Sequence, residues 1–153
     1  MPIVNTAHTT GQPAELVWRL LVDSEAFSTY MDEVRSVRIV ANDGHRRICH
    51  WCVLLKGSEL QWEEEEFIDH ERRRIDFRQL RGDLAYFTGH WQVTETTAGT
   101  VVELQVDFDI GIPLMAEMLN PVAAKALEDN SLAILERLGD RAAQAPAQPT
   151  TAR

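Results

Sequence analysis

The run Thr100-Val101-Val102-Glu103-Leu104-Gln105-Val106-Asp107-Phe108-Asp109-Ile110 alternates without a break. Val102, Leu104, Val106, Phe108 and Ile110 share one parity, and Glu103, Gln105, Asp107 and Asp109 share the other. Side chains alternate across a strand with a period of two, so this run has one dry face and one wet face. Sheets wet on one side are typically antiparallel.

The same reading extends in both directions. Upstream, Tyr86 to Glu95 places Phe87, Trp91 and Val93 on one face, and the Thr96–Gly99 stretch turns the chain. Arg74 to Leu80 and Glu59 to Asp69 read as earlier strands. The second of these is acidic but framed by Trp62, Phe67 and Ile68. His45 to Leu55 and Val34 to Val40 complete a meander, with Asn42-Asp43-Gly44 and Lys56-Gly57-Ser58 as its turns. Ile3 to Thr9 reads as a first strand, broken by Gly11-Gln12-Pro13. Pro13 suits the start of a helix that carries Leu16, Val17, Leu20 and Leu21 at helical spacing. A second short helix, from Ser24 to about Met31, starts on a residue suited to capping. Pro113 opens a long helix to about Arg141, with a bend expected at Pro121. Residues 142–153, rich in Ala, Pro and Thr, read as a disordered tail.

The resulting order is a strand, two short helices, six strands and a long helix. An amphipathic helix at the end of such a meander must bury its face on the sheet. The expected fold is α+β of the helix-grip kind: a curved seven-stranded antiparallel sheet around a long C-terminal helix, in one domain over residues 1–141. Between sheet and helix lies the natural place for a small-molecule cavity.

Composition narrows the function. The 153 residues include 24 acidic and 15 basic side chains, a net charge of −9. That balance argues against nucleic acid and against an anionic membrane surface. No stretch is apolar enough for a transmembrane helix, and residues 1–14 lack the basic start of a signal peptide. The expected location is cytoplasmic. Cys49 and Cys52 have CxxC spacing but fall within one strand, where an offset of three points them to opposite faces. They read as free thiols, and no second cysteine pair exists to complete a zinc site. No Gly-rich phosphate loop and no nucleophile elbow appear.

The section Trp62-Glu63-Glu64-Glu65-Glu66-Phe67-Ile68-Asp69, Arg74-Ile75-Asp76-Phe77, Gly82, Gly89-His90-Trp91, Gly99-Thr100-Val101-Val102 and Phe108 resembles the Bet v 1/START superfamily. Within it the chain is similar to bacterial polyketide aromatase/cyclases and to coenzyme Q-binding proteins. The resemblance implies a cavity that holds a poly-β-ketone, folds it, and promotes aldol closure and loss of water, with no metal or redox cofactor. Where that family often shows Trp-x-Ser-x-Arg from the position of Trp62, this chain has Glu64 for the Ser and Glu66 for the Arg. A second basic position of the family falls at Gln79, or at Arg78 with a slip of one. Tyr30, Trp91 and Asn130 match pocket positions.

Period two divides the four glutamates of Glu63–Glu66 into two pairs, and the family register favours Glu64 and Glu66 inside. A carboxyl in an apolar pocket rises in pKa, and a second one beside it raises one member further. Such a pair can serve as general acid and general base. The alternative is salt bridging on the outer face to arginines such as Arg74 and Arg78. Trp62, Phe87 and Trp91 are read as an aromatic wall, and Tyr30, Gln79 and Asn130 as groups that orient carbonyls. Each of these residues also has an ordinary structural reading.

Two functions stay open on this reading. One is a polyketide cyclase, aromatising or not, with Glu64, Glu66 and Tyr30 as catalytic groups and Trp62, Gln79, Phe87, Trp91 and Asn130 as substrate contacts. The other is a non-catalytic carrier of a quinone, lipid or similar molecule, expected to have an apolar cavity with both glutamates outside. The partners expected with the first are a hydrophobic substrate, delivery by an acyl carrier protein, and a second copy in a homodimer.

Overall fold

The computed structural model describes residues 3–111 and 116–144. The order is β1 (Ile3–Thr10), α1 (Ala14–Val22), a 3-10 helix (Ser24–Thr29), β2 (Val34–Asn42), β3 (Arg46–Leu55), β4 (Ser58–Asp69), β5 (Arg74–Gly82), β6 (Tyr86–Thr96), β7 (Gly99–Asp109) and α2 (Ala116–Gln144). All seven strands form one antiparallel sheet in the order β1-β7-β6-β5-β4-β3-β2. The expected helix-grip fold is therefore present.

β7 alternates as its sequence requires: Thr100, Val102, Leu104, Val106 and Phe108 are buried, and their neighbours are not. The turns follow from local chemistry. Asn42 Oδ1 accepts the Gly44 N–H, and Asp43 Oδ1 accepts those of His45 and Arg46. Lys56 and Gly57 both take positive φ, 52° and 83°, the mark of a two-residue hairpin turn matched to strand twist. At Gly89 in β6, a Cβ would stand 1.9 Å from the Gln105 carbonyl oxygen and 2.9 Å from the Phe77 ring. Its missing side chain leaves room for the tip of the Phe77 ring of the neighbouring strand.

The second short helix is a tight 3-10 turn that ends at Thr29, short of Met31. The start expected at Pro113 for the long helix lies outside the described residues. α2 continues through Pro121 to Gln144, and Ala142 in its last turn is buried. Its buried stripe is Leu127, Ser131, Ile134, Leu135 and Leu138, with Asn130 half-buried at the rim. Asn120 Oδ1 accepts the Ile110 N–H at 3.3 Å and so ties the end of β7 to the start of α2.

Candidate functional site

The inner face of β4 carries Trp62, Glu64, Glu66 and Ile68, and all four are buried. The outer face carries Glu63 and Glu65. Glu65 is gripped by Arg46 and Arg78, and Glu63 pairs with Arg81. Arg74, one of the outer-face partners considered above, bonds instead to Asp76 of its own strand. The period-two division of the glutamates thus holds, with the family register.

Glu64 is 2% exposed and Glu66 1%. Trp62 Nε1 donates to Glu64 Oε1 at 2.6 Å, and no N–H or O–H donor reaches Glu64 Oε2. Glu66 is better supplied. Arg47 Nε donates to its Oε1 at 2.5 Å and Trp51 Nε1 to its Oε2 at 3.2 Å. The two carboxyls also meet each other within hydrogen-bonding reach. An ionised carboxylate only accepts, so a hydrogen bond between the two is made only when one of them is protonated.

The surroundings act on the two carboxyls in opposite directions. Burial, then the charge of Glu66, pushes Glu64 well above the usual carboxylate range. Burial acts on Glu66 too, but the hydrogen bond from Glu64, the charge and hydrogen bond of Arg47 and the Trp51 N–H outweigh it and hold Glu66 below that range. The two carboxyls are thus driven apart: the site favours the neutral form of Glu64 and the charged form of Glu66.

A cavity of about 40 Å³ lies between this part of the sheet and α2. Glu64 lines it together with Trp51, Trp62, Phe87, Trp91 and Asn130. Phe77 and aliphatic side chains make the other walls, and Ser131 adds a hydroxyl from α2. Trp51 and Trp62 stack with centroids 5.9 Å apart and planes 4° from parallel. Phe87 closes on Trp62 at 4.8 Å. The space is large enough for a few waters. A fused-ring ligand needs the sheet and α2 to part. Asn130 also lines an open surface groove with Leu54, Leu55 and Lys56, so it stands between that groove and the cavity.

The cavity therefore gathers five of the eight residues picked from the sequence: Trp62, Glu64, Phe87, Trp91 and Asn130. Glu66 is not in its wall and contacts Glu64 from behind. Gln79 is the register partner of Glu64 across a bulge, yet its Nε2 donates to the Leu84 carbonyl at 2.7 Å and it lies outside the wall. Tyr30 also lies outside. Its ring meets Phe27 edge-on under the Arg141 guanidinium, and its buried hydroxyl has no partner. Burial pushes this phenol above its ordinary range, which leaves it a neutral group.

Sequence reasoning missed Arg47 and Ser131. Arg47 has the parity of Cys49 and Trp51 in β3, and all three are buried. A buried carboxylate needs a cation, and an arginine on the inner parity of the adjacent strand was the available signal. Cys49 and Cys52 have opposite parity as expected, yet both are buried, Cys52 beside Glu59 and Arg35. Both cysteines are free thiols. Among the described residues no cluster of His, Cys, Asp and Glu could hold a metal ion, and no helix is long and apolar enough to cross a membrane.

A family model described as polyketide cyclase / dehydrase and lipid transport matches residues 10–135. No curated protein matches. Among solved structures, the chain is 30% identical to TTHA0849 of Thermus thermophilus, with a TM-score of 0.88 over 95% of this chain and all of that one. It is 23% identical to the Zhui aromatase/cyclase of Streptomyces sp. R1128, with a TM-score of 0.80 over 94% of each chain. It is 10% identical to major latex-like protein 151 of Panax ginseng, with a TM-score of 0.74 over 92% of this chain and 96% of that one. The last two likenesses concern the fold.

Proposed function

Because the chain belongs to the polyketide cyclase / dehydrase and lipid transport family, we propose that it is a polyketide cyclase that closes and dehydrates a poly-β-ketone-like substrate in its cavity. The observation that carries this reading is Glu64: a buried carboxyl in an aromatic cavity wall, beside a second carboxyl, Glu66, that Arg47 and Trp51 hold by hydrogen bonds. In dehydration of a β-hydroxy ketone, Glu64 gives its proton to the leaving hydroxyl, which departs as water. The carboxylate left behind takes the proton from the α carbon, and the carbon–carbon double bond forms. Protons balance within one carboxyl. Glu66 does not touch the substrate and acts through Glu64. Trp62, Phe87 and Trp91 hold the substrate flat, and Asn130 offers its amide to a carbonyl. Tyr30 and Gln79 would reach the substrate only after α2 and the sheet part. Delivery by an acyl carrier protein, a homodimer and a cytoplasmic location belong to the same proposal, and co-purification with a carrier protein and light scattering test the first two.

The test uses Glu64→Gln. A general acid is worth about 10²–10⁴ in rate. The variant should therefore lose at least about 100-fold in cyclised product, measured by mass spectrometry on a synthase-generated polyketide, while still binding a hydroxylated anthraquinone. Equal turnover by variant and wild type would refute the acid role. The carrier reading predicts that the wild type binds the quinone but forms no product faster than buffer does. The expected mark of the carrier reading was an apolar cavity with both glutamates outside, and the place of Glu64 in the cavity wall favours the enzyme over it.

A further inference from the structure

The interior holds two carboxyls in contact but one cation. Arg47 is 3% exposed and is the only buried arginine or lysine among the described residues. Its guanidinium is held on three sides. Nε donates to Glu66 Oε1 at 2.5 Å, Nη1 to the Val22 carbonyl at 2.7 Å at the end of α1, and Nη2 to Ser24 Oγ at 3.2 Å. None of these bonds goes to Glu64. The strand register places Arg47 opposite Glu66, and Cys49 opposite Glu64. An isolated charge in an apolar interior neutralises itself rather than stay ionised. One buried cation thus supports one buried carboxylate, and the direction of its hydrogen bonds selects which.

We propose that Arg47 is the positioning residue of the acid pair: it fixes Glu66 as the carboxylate and so leaves the single proton on Glu64, the carboxyl in the cavity wall. The proposal rests on the reading of Glu64 as the acid and explains what makes it one. The other groups facing the pair leave Arg47 this role. From β3 comes the Cys49 thiol, which burial keeps neutral. The other side chains that line the cavity beside Glu64, from Phe77 of β5 to Ile134 of α2, carry no charge. The family's usual arginine position on this strand holds Glu66 here, and the cation has moved one strand over to β3.

The experiment counts protons. The full chain is labelled with ¹³C at glutamate carboxyl carbons, and its spectrum is recorded at pH 7. Wild type should show one protonated glutamate, absent in Glu64→Gln. In Glu66→Gln the Arg47 charge has no carboxylate, so Glu64 ionises and the count falls to zero. In Arg47→Met no cation remains, Glu66 takes a proton as well, and the count rises to two. Arg47→Lys keeps the charge and restores a count of one. A Glu66→Gln protein with Glu64 still protonated would overturn the proposal, as would a folded Arg47→Met protein with Glu66 still ionised. If Arg47→Met does not fold, Glu66→Gln decides alone. Failure of wild type to bind any aromatic ligand would sink the functional reading and leave the proton count standing. Normal binding with the wrong count would sink the positioning role alone.

Discussion

Replacing Glu64 with glutamine should stabilise this protein, and by more as pH rises. In the folded state Glu64 keeps its proton well above the usual carboxylate range. In the unfolded chain it releases that proton near the ordinary value for glutamate, about 4.3. Between these two points the native state binds more protons than the unfolded state, so each pH unit costs about 1.4 kcal/mol of stability. Glutamine copies the neutral acid in shape, and its N–H can donate to Glu66 where the acid proton did. It carries no such cost. The stability gap between Glu64→Gln and wild type should therefore open above the ordinary glutamate range. It should widen by about 1.4 kcal/mol per pH unit until folded wild type gives up the proton. Glu66 has the opposite sign. Its lowered pKa contributes stability above the ordinary range and loses it as pH falls, in both proteins, so it cancels from the comparison. The assay is urea unfolding of both proteins at half-unit steps from pH 5 to pH 8. With a urea slope of about 2 kcal/mol/M, the midpoints should diverge by about 0.7 M per pH unit. A pH-independent gap, or a variant that is weaker at high pH, would refute the placement of the proton.

Three further outcomes follow from the packing. Ser131→Leu should fill the cavity of about 40 Å³ and abolish anthraquinone quenching of tryptophan fluorescence, at a stability cost of no more than about 1–3 kcal/mol. Gly89→Ala should cost at least about 1–3 kcal/mol in urea unfolding, because its Cβ would meet the backbone oxygen of Gln105 and the Phe77 ring. Cys49 should resist iodoacetamide at pH 8 in the folded protein and react in urea, by mass spectrometry, because burial pushes its thiol up and closes access to it.

The strands were legible because they alternate, and β7 is the plainest case. The inner parity of β4 was legible only when period two was combined with the family register, since four consecutive glutamates carry no apolar contrast of their own. Arg47 was not legible from its own strand: its partner lies 19 residues away and is set by the β3–β4 pairing, which a single strand does not contain. The resemblance placed Asn130 in the pocket, and it lines the cavity half-buried, while Ser131, one residue on, lines the same cavity and is buried. Tyr30 and Gln79 were assigned from the family resemblance. Their side chains answer to local matters that no spacing encodes: the Phe27 ring in one case, the Leu84 carbonyl in the other.

The stacked indoles of Trp51 and Trp62 each point their N–H at a different member of the acid pair, Trp51 at Glu66 and Trp62 at Glu64. Two parallel chromophores so near each other share their excited states, and each is wired to one carboxyl. The protein thus carries its own optical gauge. A change in charge at either glutamate, or a flat molecule sliding beside the stack, alters the coupled circular dichroism and emission of the pair. Proton movement and ligand arrival can be timed in the unlabelled protein, in one cuvette, by light alone.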